Sequence, residues 1–253
     1  MSLHDTMVKH GHTLFRLRSY IPLLFIAPLL LAFSESVKLE AMVGDAWEDV
    51  WVLFCFILSL SGLAIRWVTV GFVPAGTSGR NTQGQRADVL NTTGIYSIVR
   101  NPLYLGNFIT ILGVVLSIKV WWLAVIVSMF FFIYMERIIL AEEKYLHEKF
   151  GDTYDQWRAK TPVIIPNFRL WRPHEIKFSW KTVLKREYQG LLGMATAFLV
   201  TEMVTDLVFE GETLNEWLGE DYIWPVTFAF ILTFCLTLRY MKKHTDLLKV
   251  EGR

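Results

Sequence analysis

The chain has 253 residues, 53% of them hydrophobic, with a net charge of +1 and a mean hydropathy of +0.36. Soluble domains are less apolar and rarely carry such long uncharged runs, so the composition points to an integral membrane protein forming one domain over residues 1–253. The net charge of +1 says nothing about nucleic acid, and no such partner is expected.

Six apolar segments follow in chain order: Tyr20–Phe33, Val50–Val73, Leu103–Ser117, Val120–Met135, Glu187–Phe209 and Tyr222–Tyr240. A span needs about 20 residues, so the first, third and fourth are short and imply tilt or local thinning. The expected fold is an all-α, polytopic bundle of about six spans. The first segment follows a basic stretch and ends in Ala-x-Ser, which resembles a signal peptide. Pro22, Pro28 and the later spans favour a retained first helix. Only "IK" separates the third and fourth segments, which predicts a tight helical hairpin.

Charge fixes the expected orientation. Lys9, Arg16 and Arg18 precede the first span. Arg66, Arg80, Arg86 and Arg100 lie in the next loop on that side. Residues 137–186 are rich in Lys and Arg, and the tail carries Arg239, Lys242, Lys243 and Lys249. The other face holds Lys38 and Lys119 among Glu35, Glu40, Asp45, Glu48, Asp49, Glu210, Glu212, Glu216, Glu220 and Asp221. The positive-inside rule puts both termini and the basic loops in the cytoplasm, of a bacterial inner membrane or an endomembrane. Cys55 and Cys235 lie inside apolar runs and read as core residues, and the scattered His show no metal spacing, so no metal is expected.

The stretch "GIYSIVRNPLYLGNF", Gly94 to Phe108, starts the third span on a polar corner. Asn101 is placed as an N-cap and Pro102 at the first helical position, where its missing N–H costs nothing. The free N–H groups and positive dipole end suit an anionic group, with Arg100 beside them. Tyr104 and Gly106 follow in the first turns, and Gly106 would let a flat ligand approach the backbone. An ordinary interfacial helix start with a snorkelling Arg reads the same way.

Further on, "YMERIILAEEKYLHEKFGDTYDQW" predicts that the fourth span runs on as one helix beyond the bilayer and stops at Gly151. Glu136, Leu140 and Glu143 share one face. Asp152 is placed to cap a short helix that ends near Thr161-Pro162. The long loop before the corner, "PAGTSGRNTQGQRADVLNTTG", is rich in backbone donors and suits either a roof over a ligand or a plain connection. Glu202 and Asp206, one turn apart in the fifth span, are acidic residues at membrane depth.

Taken together, these stretches resemble the membrane methyltransferase family of isoprenylcysteine carboxyl methyltransferases and phospholipid methyltransferases. The residues that carry it are Gly94, Tyr96, Arg100, Asn101, Pro102, Tyr104 and Gly106, then Glu142-Glu143, Phe150-Gly151, Tyr154, Pro162 and Pro166. They span about residues 90–168, which would be the catalytic core, with 169–253 adding a basic segment and two further spans. The family's usual His before Pro is Asn101 here, which cannot titrate, so no proton chemistry is assigned to it.

The resemblance implies S-adenosylmethionine as methyl donor, in a cytoplasmic pocket formed by the hairpin and the helix extension. Tyr96, Arg100, Asn101, Pro102, Tyr104, Gly106, Glu142, Glu143 and Tyr154 are the implied cofactor residues; Arg100 suits a carboxylate, and the Glu pair suits an ammonium or ribose hydroxyls. Trp157 joins the tyrosines as an aromatic candidate for adenine or sulfonium. The acceptor would be a lipid entering from the bilayer. A lipid carboxylate or phosphate is already ionised and needs a guiding cation, for which Arg137, Arg100 and the basic run Arg169–Arg186 are candidates. An amine needs a base. O-methylation with Arg137, Arg100 and Glu143 at the reacting end is therefore expected. Phospholipid N-methylation is the alternative. A nicotinamide-dependent steroid-type reductase shares the Pro-x-Tyr-x-Gly start, but Asn107 stands where that group tends to have an acid.

Overall fold

A computed structural model describes residues 3–17, 20–43, 45–74, 76–77 and 87–250, the side chains of 4, 22, 37–48 and 220 excepted. Among the described residues every regular element is a helix. Arg18, Arg80 and Arg86, the side chains of Lys38, Glu40, Asp45, Glu48 and Glu220, and about half of the loop before Gly94 lie outside that description.

Helix α1 (Leu3–Leu17) is amphipathic and precedes a 3-10 turn at Ile21–Phe25 and α2 (Ile26–Val43). The basic lead-in to the first span is thus itself a helix. Val8, Gly11 and Phe15 form its buried face, and a Cβ on Gly11 would lie 2.0 Å from the Arg137 carbonyl oxygen. Helix α3 (Asp45–Gly71) returns across the bundle. A short α4 (Ile95–Ile98) leads into α5 (Pro102–Ser117) and α6 (Trp121–Phe150). Helix α7 (Asp152–Arg158) is followed by an irregular stretch, then α8 (Trp180–Val204), a π-turn at Thr205–Glu210, α9 (Leu214–Glu220) and α10 (Ile223–His244). Among the described residues four helices are long and apolar enough to cross a membrane, over Asp49–Gly71, Trp121–Phe150, Trp180–Glu210 and Ile223–His244. Shorter apolar helices at Leu23–Ser36 and Pro102–Ser117 complete the six expected.

The α5–α6 corner is the tight hairpin that the sequence predicts, with Lys119 in the left-handed region at φ 67°. The intimate partner of α5, however, is α3. A Cβ on Gly62 would lie 2.5 Å from Gly106 O, and one on Gly113 2.2 Å from Ser59 Oγ and 2.5 Å from Cys55 O. Ser59 Oγ donates to Thr110 O at 2.9 Å, and Thr110 Oγ1 donates to Ser59 O at 3.2 Å. Apolar side chains gain little by leaving lipid for a helix interface, so close backbone contact through small residues is what binds such helices.

A charged clamp joins this pair to α8. Arg66 Nε and Nη2 donate to Glu187 at 2.8 and 2.9 Å, and Nη1 donates to Asn107 Oδ1 at 2.7 Å. Arg66 is therefore a bundle residue rather than a loop cation, and Glu187 is 3% exposed. Fork-on-fork geometry satisfies both ions where desolvation would otherwise penalise them. Cys55 and Cys235 are free and buried, as expected of core residues.

Candidate active site

The polar corner is built by two segments lying side by side. Gly94 adopts φ 58°, and the His174 ring sits where its Cβ would be, with Cε1 at 1.8 Å. Any side chain at 94 would be strained and would displace that ring. His174 stacks on Phe72 at 3.5 Å, and its burial pulls its pKa below the usual histidine value. From Gly94 onward the chain pairs with the stretch after α7. Gly94 N donates to Arg172 O at 2.9 Å, Asn167 N to Ile98 O at 2.9 Å, and Arg100 N to Pro162 O at 2.8 Å. Ser97 Oγ accepts from Arg172 N at 2.9 Å. These bonds hold the start of α5 against residues 162–172.

Pro102 opens α5 at the position expected of it, while Asn101 behaves differently. It occupies the N-cap position but its side chain makes no cap bond. Its Nδ2 instead donates to Val163 O at 3.1 Å, stitching the two segments together. Asp152 is also not a cap: Gly151, at φ 52°, holds both the C-cap of α6 and the N-cap of α7. Gly106 faces α3, where a Cβ would lie 2.7 Å from Arg66 Cγ and from Gly62 O. That packing is reason enough for a glycine there.

Helix α6 runs unbroken for 30 residues, about 45 Å, against about 30 Å for a bilayer's hydrocarbon core, so about its last third extends past that core. That extension carries the Glu pair to the corner. Glu143 accepts from Arg100 Nη1, and its other oxygen lies 3.9 Å from Arg158 Nη1. Glu142 accepts from Tyr104 Oη at 2.7 Å. Tyr154 is 1% exposed beneath this group, with the Arg158 guanidinium 5.8 Å from its ring centroid. Burial, and then the Glu143 charge, push its pKa up to about 12, against partial relief from Arg100 and Arg158. Tyr154 is thus a neutral phenol near pH 7. Trp157 donates from Nε1 to Tyr96 O at 3.1 Å, fixing α7 against α4.

The structure therefore brings Arg100, Tyr104, Glu142, Glu143 and Tyr154 together at one end of α5 and α6, with Tyr96 alongside. Arg137 lies apart from them. It sits between one and two turns earlier on α6, and its guanidinium binds the neighbouring Glu136 at 2.8 Å. An open cleft of about 860 Å³ lies beside the corner, lined by Arg100, Arg158, Lys160, Thr161, Phe168 and Arg169, among others. Arg158 was not among the expected site residues. Its position one turn after Tyr154 on a short helix was the available signal. Asp206 is 7% exposed at the far end of α8, away from this corner.

The corner fits S-adenosylmethionine in one specific respect. Arg100 Nε is buried without a hydrogen-bond acceptor, although Nη1 is paired with Glu143. A buried guanidinium N–H left over is a donor that a ligand carboxylate can satisfy.

Residues 52–153 match the phospholipid methyltransferase family. The chain is 30% identical over 139 residues to the nickel-cobalt-cadmium resistance protein NccN of Alcaligenes xylosoxydans xylosoxydans, covering 54% of this chain and 63% of that protein. It is 38% identical over 78 residues to the protein-S-isoprenylcysteine O-methyltransferase of Schizosaccharomyces pombe, covering 31% of this chain and 33% of that one. It is 26% identical over 160 residues to the cobalt-zinc-cadmium resistance protein CzcN of Cupriavidus metallidurans, covering 63% and 70%. The first two matches thus span less than two thirds of those relatives' own length. No solved structure matches. Among the described residues no group of three or more His, Cys, Asp or Glu is placed to hold a metal ion. The family match begins at residue 52 and so takes in most of α3 as well as the motif-bearing helices. Residues 52–153, with α5, α6 and the Arg100–Glu143 pair inside them, match the phospholipid methyltransferase family, in line with the resemblance that the motifs carry.

Proposed function

We propose that this protein is an S-adenosylmethionine-dependent methyltransferase that methylates an oxyanion, carboxylate or phosphate, on the head group of a membrane lipid. The observation that carries the reading is the Arg100–Glu143 pair with its unsatisfied Arg100 Nε, at the start of a short apolar helix inside the family-matched segment. Arg100 would hold the carboxylate of the cofactor. Glu142, oriented by Tyr104, and Glu143 would face its ammonium or ribose hydroxyls. The cofactor, when bound, supplies an electrophilic methyl group.

The protein's own part is positioning. Hydrogen bonds between residues 94–101 and 162–172 fix Arg100 at the helix start. Two oriented reactants lose much of their entropic barrier once held in line. Both Glu142 and Glu143 already accept bonds from protein donors, and Tyr154 stays protonated at neutral pH. None is poised as a base, which favours an acceptor that is already ionised over an amine. Arg137, paired with Glu136 on the flank of α6, keeps a guiding role for the lipid in this reading. The Lys and Arg distribution favours a cytoplasmic corner.

The test is transfer of labelled methyl groups from S-adenosylmethionine to native membrane lipids, followed by mass spectrometry. A methyl ester on a lipid carboxylate or phosphate is the expected product. An N-methylated head group would replace the acceptor with the ethanolamine alternative, and no transfer by protein that binds the cofactor would overturn the activity.

A further inference from the structure

The stretch from Val163 to Trp171 has an unusual surface. Ile165 is 81% exposed, Phe168 75% and Trp171 50%, although none belongs to a membrane-spanning helix. Residues 158–172 carry four cations, Arg158, Lys160, Arg169 and Arg172, and no Asp or Glu. The stretch is also level with the membrane end of α5, because Asn101 and Arg100 bond to Val163 O and Pro162 O. On the other side it leads to Trp180, exposed at the first turn of α8.

We propose that residues 163–171 form a lip that inserts into the interfacial layer of the bilayer and gathers anionic phospholipids at the mouth of the cleft. Irregular chain normally avoids a lipid surface because its N–H groups need water. Here part of that cost is met within the protein. Pro162 and Pro166 have no N–H. Arg169 N donates to Asn167 Oδ1, Leu170 N to Asn167 O, Trp171 N to Phe168 O and Arg172 N to Ser97 Oγ. With these groups satisfied, Ile165, Phe168 and Trp171 can enter the apolar boundary, where aromatic side chains concentrate. Arg169, Lys160 and Arg172 then lie at head-group level, where each cation near an anionic surface strengthens attachment severalfold. Arg169, Phe168 and Ile165 line the same cleft as Arg100. A head group drawn to the lip is thus delivered beside the corner; this last step, unlike insertion itself, rests on the methyl-transfer reading.

The experiment is a depth measurement on the full chain in lipid nanodiscs. A nitroxide is attached at Ile165→Cys or Phe168→Cys, the native Cys55 and Cys235 being buried. Collision with oxygen is compared with collision with a water-soluble nickel chelate. Lys149→Cys on the exposed α6 extension is the aqueous control, and Val125→Cys on the exposed apolar part of α6 the hydrocarbon control. The discs hold phosphatidylcholine alone or with roughly one third phosphatidylglycerol, enough to give a negative surface. The lip labels are expected to favour oxygen as Val125→Cys does, at shallower depth, and to move deeper with phosphatidylglycerol. That extra depth is expected to vanish in Lys160→Gln/Arg169→Gln. Chelate-favoured collision at both lip positions, matching Lys149→Cys, overturns insertion. Depth indifferent to phosphatidylglycerol overturns the gathering of anionic lipid. Neither readout uses the cofactor or turnover, so failure here is separable from failure of the methyl-transfer reading.

Discussion

Replacing Glu143 by Gln keeps the shape of the side chain and removes its charge. The partner is the Arg100 guanidinium, with the two side chains 14% and 20% exposed. Breaking a fully buried pair costs about 3–5 kcal/mol and an exposed one about 0–1, so this half-sheltered pair falls near the 1.5–3 kcal/mol of a charge-assisted hydrogen bond. Arg158, at 3.9 Å from the second carboxylate oxygen, adds little. A loss of that size lowers the melting temperature by about 3–12 °C in a chain of this length. If the pair also presents Arg100 to the cofactor, S-adenosylmethionine affinity falls roughly ten- to a hundredfold. Thermal unfolding in detergent reads the first effect and isothermal calorimetry the second. Glu142→Gln is the contrast, because Glu142 accepts from the neutral Tyr104 hydroxyl and Gln still accepts from it; about 0.5–1.5 kcal/mol is expected there. A Glu143→Gln protein that melts lower yet binds the cofactor as before would make the pair a structural brace and refute its place in the site.

Four further outcomes follow from the geometry. Gly113→Ala should force α3 and α5 apart, since its Cβ would lie 2.2 Å from Ser59 Oγ, and cost about 1–3 kcal/mol in reversible unfolding. Glu187→Gln should leave the bidentate Arg66 without a counter-charge and cost about 3–5 kcal/mol, with loss of folded yield the first sign. Tyr154 has its folded pKa raised, so the stability from keeping it neutral is fully present below pH 10 and is lost as pH rises towards 12; Tyr154→Phe should flatten that alkaline limb of the melting-temperature profile. Lys160→Cys, exposed beside the cleft, should resist an impermeant thiol reagent added outside intact cells, and rapid labelling would reverse the proposed orientation.

The hydrophobic runs alone located the spans, because each must cover a bilayer's apolar thickness and little else in a sequence produces such lengths. The unbroken α6 and its stop at Gly151 were legible for the same local reason: helix period and a glycine cap are read from neighbouring residues. The pairing of Arg66 with Glu187 was not legible, since 121 residues separate them and either could have faced solvent. Gly106 read as room for a ligand because a missing side chain does not say which neighbour needs the space; the packed helices show that α3 takes it. Asn101 read as a cap from its place before Pro102, yet the returning chain offered Val163 O and claimed the amide. Motif spacing named Arg100, Tyr104, Glu142, Glu143 and Tyr154. Only the folded bundle, by laying residues 162–172 against 94–101, decided which of them pair, which donor is left over, and that Arg137 stands aside.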